Sequence, residues 1–200
     1  LREPEGVGIS QVRDMIRSFS GKATLEVLST FLQENAELPA DHGIFRLMKL
    51  LGSEAVPQVC TFLGMPQHLA AVCDVLAHIG AGSTEVLSPH LSSPDPQVAL
   101  AMIDVILRAD PVSGYERIAV ALKHPNEGVR INAARVLVQL GESKAALPFI
   151  DRLADPSSAV VSMALSFFSK VSCPEAYPKL AELLKGRAFR KLDDSSQEKV

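Results

Sequence analysis

Residues 124–155 read HPNEGVRINAARVLVQLGESKAALPFIDRLAD. Val129, Ala133, Leu137 and Leu140 recur at steps of four, four and three, which lines one face of an α-helix. Pro125 stands at the predicted helix start, where a missing N–H is tolerated. Gly141 closes the helix, and Glu142-Ser143 makes the turn. Leu147, Ile150 and Leu153 then recur at steps of three, which predicts a second helix ending before Asp155-Pro156. Neither helix can bury its apolar face alone, so the pair requires neighbours of its own kind.

Those neighbours are visible outward from this stretch. Pro94, Pro125 and Pro156 stand 31 residues apart, as do Val98, Val129 and Val160, and Val105, Val136 and Phe167. Leu122, Leu153 and Leu184 keep the same interval in the second helices, while Pro66 precedes Pro94 by 28. A sustained period with two helices inside it predicts an all-α, right-handed α-solenoid of antiparallel helix pairs, about 12–13 helices in all. The predicted units are residues 39–65, 66–93, 94–124, 125–155 and 156–186, with another beginning at 193–200. Residues 1–38 form a terminal hairpin with little repeat identity. Its predicted helices span residues 9–19 and 23–34, the latter with Leu25, Leu28, Phe31 and Leu32 inward. In the next pair Ile44, Leu47, Met48 and Leu51 face inward, opposite Val56, Val59, Phe62 and Leu63. Pro57, Pro148 and Pro178 fall in the first turns of second helices, where proline is compatible with the helix.

Pro125, Val129, Arg130, Ala133, Ala134, Leu137, Leu140 and Gly141 together resemble a HEAT repeat of the bacterial PBS-lyase-like kind. Val138 departs from that pattern, which has a small residue there. The resemblance implies architecture more than activity, because such solenoids carry many unrelated functions. Iron-binding HEAT-like hydroxylases carry repeated His-Glu pairs, and this sequence has none. DNA-glycosylase-like HEAT proteins have basic, aromatic concave faces, which this composition does not supply.

Hydrophobic residues make up 47% of the 200 and charged residues 22%, enough apolar material for a core of close-packed helices under a charged surface. Trp is absent. No apolar run approaches the roughly 20 residues that span a bilayer, and residues 1–10 lack the apolar stretch of a secretory signal. The chain opens on Leu1 and ends on the start of a helix, so a segment of a longer protein is expected, with end-to-end self-association through its uncovered last repeat. Cys60, Cys73 and Cys173 lack C-x-x-C spacing and are expected as free, buried thiols of a cytoplasmic protein.

Catalytic chemistry is not legible. His42, His68, His78, His90 and His124 form no H-E-x-x-H or H-x-H motif, and surface or capping roles are expected for them. No glycine-rich phosphate loop or G-x-S-x-G elbow occurs. No cofactor, metal site or catalytic residue is expected, and Cys73 falls on an apolar helical face, which argues against a bilin-lyase-type attachment site. The net charge of −3 is uneven: residues 1–100 carry 6 basic and 11 acidic groups, residues 101–200 carry 14 and 12. Neither half has the basic excess of a nucleic-acid binder.

The favoured expectation is a non-enzymatic scaffold that binds a protein or peptide along the concave face. In HEAT-type stacks the second helices line that face, and their polar residues are Glu116, Arg117, Lys123, Lys144, Asp151, Arg152, Lys179 and Glu182. Both signs of charge suit a protein surface better than a polyanion. The alternative, a nucleic-acid or nucleotide-binding solenoid, would use Lys185, Arg187, Phe189, Arg190 and Lys191, a basic segment around one aromatic ring.

Overall fold

The computed structural model describes residues 22–141 and 145–185. Among the described residues there are eleven α-helices and no strand, and the fold is all-α, of the α-solenoid class. The helix expected over residues 9–19, the turn at 142–144, the basic segment at 186–191 and the helix start at 193–200 lie outside the described residues. The expected self-association rests on that last segment and lies outside them too. Two compact units are present. Residues 22–87 with Arg108–Asp110 make the first, and Ser88–Leu107 with the described residues from Pro111 onward make the second.

In the first unit, α1 (Lys22–Glu34) buries Leu28 and Leu32. His42 caps α2 (Gly43–Lys49) by accepting the N–H of Ile44 on Nδ1 at 3.3 Å. Phe45 and Met48 are the buried residues of α2. Pro57 stands in the first turn of α3 (Val56–Val59), which a 3-10 turn over Cys60–Gly64 extends. α4 (Leu69–Ile79) packs against α2 and buries Ala71, Val72, Cys73, Val75, Leu76 and Ile79. Gly80 ends it where a Cβ would stand 2.5 Å from the Leu76 carbonyl oxygen and 2.9 Å from Leu87 Cδ1, so the close return of α5 (Thr84–Leu87) depends on a missing side chain.

The second unit carries the strict register. Val98, Ala99, Met102, Ile103, Val105 and Ile106 are buried on α6 (Pro96–Ala109). α7 (Gly114–Ile118) continues as a 3-10 turn over Ala119–Lys123. Asn126 caps α8 (Glu127–Leu140) by accepting the N–H of Val129 at 3.3 Å, and Gly141 ends it with φ 67°, a left-handed conformation that glycine adopts without a Cβ penalty. α9 (Ala146–Ile150) runs into a 3-10 turn over Asp151–Ala154. Ser157 caps α10 (Ser158–Phe168), and α11 (Tyr177–Lys185) follows a 3-10 turn over Pro174–Ala176. α8 packs on one side against the Ala119–Lys123 turn and on the other against α10. Val129, Ala133 and Leu137 are fully buried between them. Each large aliphatic side chain so buried contributes about 1.5–3 kcal/mol.

Three sequence expectations are corrected here. Pro125 and Pro156 stand ahead of the caps Asn126 and Ser157, not at the first helical position. The residue before a proline is pushed into extended conformation, and His124 and Asp155 adopt ψ 140° and 142° accordingly. The buried face of α9 is also displaced by one residue. Ala146, Phe149 and Leu153 are buried, while Leu147 is exposed and Ile150 half-buried. The stacking of Phe149 on Phe167, with ring centroids 4.4 Å apart, accompanies that register, the larger ring taking the inward position. Finally, Leu47 and Leu140 lie at the exposed edges of their stripes, with Phe45 rather than Ile44 filling the core beneath α2.

Candidate protein-binding groove

One sequence column organises the surface of the second unit. Ser93, His124 and Asp155 stand 31 residues apart, and each accepts the backbone N–H two residues on: Ser93 Oγ from Asp95 at 3.3 Å, His124 Nδ1 from Asn126 at 3.0 Å, and Asp155 Oδ1 from Ser157 at 3.0 Å. The same local turn is thus built three times with three different side chains. His124 Nε2 also lies 2.9 Å from the Ser93 carbonyl oxygen, one repeat back.

Asp155 does more than hold its turn. Arg130 donates to both of its carboxylate oxygens, Nη2 to Oδ1 at 3.0 Å and Nε to Oδ2 at 3.1 Å. Arg130 Nη1 donates to the His124 and Pro125 carbonyls at 3.0 and 2.9 Å. Arg152 Nη1 donates to Asp155 Oδ2 and to the Leu122 carbonyl, each at 3.0 Å. The guanidinium groups therefore satisfy carbonyls at the end of one repeat while holding the carboxylate that opens the next. Charge-assisted, bidentate bonds of this type are strong and directional.

Set against that frame is a groove of about 450 Å³, lined by Glu116, Ala119, Val120, Lys123, Leu147, Pro148 and Asp151. Its walls are α7 with its 3-10 extension and α9 with its own, which pack side by side. Val120 falls between buried Ile118 and Ala121, and Leu147 between buried Ala146 and Phe149, so the core reaches neither. They are 47% and 63% exposed. The 31-residue register pairs Glu116 with Leu147 and Val120 with Asp151, which sets an acid beside each exposed aliphatic residue. Tyr115, itself buried, donates its hydroxyl to Glu116 Oε1 at 3.1 Å and orients that carboxylate.

Of the residues expected on the binding face, Glu116, Lys123 and Asp151 line this groove together. Arg152, by contrast, is committed to Asp155 and Leu122. Arg117 is half-buried and outside the groove lining. Lys179 and Glu182 lie on α11, half-buried and exposed, and Lys185 is exposed at its end. Lys144, Arg187, Phe189, Arg190 and Lys191 lie outside the described residues. Sequence reasoning missed Val120 and Leu147. The available signal was the 31-residue column that sets Leu147 opposite solvent-facing Glu116.

Cys60, Cys73 and Cys173 are free and buried. Burial, with neighbouring Cys73 adding to it, pushes the Cys60 thiol up to about 11. Burial and the contact with Glu175, to which its Sγ donates at 3.2 Å, raise Cys173. Thiols shifted in this direction are poor nucleophiles at neutral pH. Cys173 lies at the turn before Pro174, ahead of the 3-10 turn over Pro174–Ala176. Of the histidines, His42 and His124 cap local turns as expected. His68 is buried against Phe45, with Nε2 2.9 Å from the Leu32 carbonyl oxygen at the end of α1. It serves the end of a helix distant in sequence. Among the described residues no group of three His, Cys, Asp or Glu side chains could hold a metal ion, and no helix is long and apolar enough to cross a membrane.

HEAT repeats, as a family, match this chain over residues 84–167 and again over 116–191, together more than half its length. The chain belongs to the HEAT repeat family. Repeats of this family commonly serve as protein-interaction scaffolds and are generally non-enzymatic. Among solved structures, the HEAT repeat chain is similar to the crystal structure of an engineered protein, with 16% identity and a TM-score of 0.44 over 98% of this chain and 89% of that one. No curated protein matches it.

Proposed function

We propose that this HEAT repeat chain is a non-enzymatic scaffold that binds another protein along the face made by its second helices. The observation that carries the reading is the groove over Glu116, Val120, Lys123, Leu147 and Asp151, where two exposed aliphatic residues sit among charges of both signs. Contiguous exposed apolar surface rimmed by polar residues marks interaction sites, whereas single exposed aliphatic residues do not. The residues from Pro125 to Gly141 support a relationship to the bacterial PBS-lyase-like HEAT proteins. Buried free thiols fit a reducing, cytoplasmic setting. The repeats are taken to run from residue 39 to residue 186, with residues 1–38 as a degenerate terminal pair.

A photo-crosslinking residue at Val120 tests the reading. In cells expressing the protein, it should give a discrete protein adduct that is lost when Leu147→Asp is added and that reforms with the purified partner. The competing reading, phosphate binding through Lys185 and the basic segment that follows it, is separated by anisotropy of labelled single-stranded DNA across a salt series, because phosphate contacts weaken steeply with salt. Salt-sensitive DNA binding with no protein adduct would replace the scaffold by the nucleic-acid reading.

A further inference from the structure

We draw no further inference here: the strongest candidate, the groove between α7 and α9 with exposed Val120 and Leu147, carries nothing beyond the site already described, because nothing in the structure shows what covers it.

Discussion

Two carboxylates, Asp74 in the first unit and Asp155 in the second, have cationic partners at the same sequence separation and opposite energetic weight. Lys49 pairs with Asp74 and Arg130 with Asp155, each 25 residues earlier in the chain. The Asp155 side chain is fully buried and that of Arg130 is 9% exposed. The Asp74 side chain is 50% exposed, and its partners Lys49 and Arg108 reach it from the surface. The spacing alone does not distinguish them. Solvent does: water screens the first pair and lets its members exchange partners, whereas the second pair has no replacement for a lost bond.

Asp155→Ala should therefore have the largest effect. It strips a buried Arg130 of its counter-charge, removes the N–H acceptor of Ser157 and frees one bond of Arg152, for a loss of about 3–5 kcal/mol in chemical denaturation. A loss under 1 kcal/mol would show that water reaches Arg130 and that the contrast with Asp74 is false. The double variant Arg130→Met/Asp155→Leu sharpens the point. It removes both charges, so it should cost less than Asp155→Ala alone, since the penalty lies mainly in the orphaned charge. Asp155→Asn retains an acceptor for Ser157 and should fall between wild type and Asp155→Ala in melting temperature.

Asp74→Asn should have the smallest effect, within about 0.5 kcal/mol. Its pH dependence carries the information. The hydrogen bond from Lys49, then that from Arg108, holds the Asp74 carboxyl below its ordinary range. A folded-state value below the unfolded one means the contribution is present above about pH 4. It is lost as pH falls through the folded value. The small stability gap between wild type and Asp74→Asn should therefore close on acidification, and raised salt should narrow it at neutral pH. A gap that persists at pH 2 would assign the effect to packing instead.

The same contrast explains what could be read in advance. The 31-residue period and the core positions Val129, Ala133 and Leu137 were legible, because helical periodicity is a local property that burial only reinforces. The caps Asn126 and Ser157 were not, since Pro125 reads equally well as the first helical residue. Nor was the inward face of α9. Leu147-Ile150-Leu153 and Ala146-Phe149-Leu153 both satisfy a spacing near three to four, and the choice accompanies the stacking of Phe149 on Phe167, eighteen residues away. Arg130 carried a partial signal, since it shares the helical face of Ala133, Ala134 and Leu137. A charge on that face requires a partner, yet nothing local names Asp155.

The groove shows the limit most clearly. Glu116, Lys123 and Asp151 were identifiable as polar residues of second helices, but Arg152 has the same pattern and turns instead into the Asp155 network. By itself the sequence determined the repeat, its class of fold and the identity of most of its core, because these follow from patterns within one helix pair. Only the tertiary structure decided which aliphatic residues were left exposed. Exposure of Val120 and Leu147 depends on how consecutive repeats stack, and stacking places residues 27 positions apart on either side of one groove.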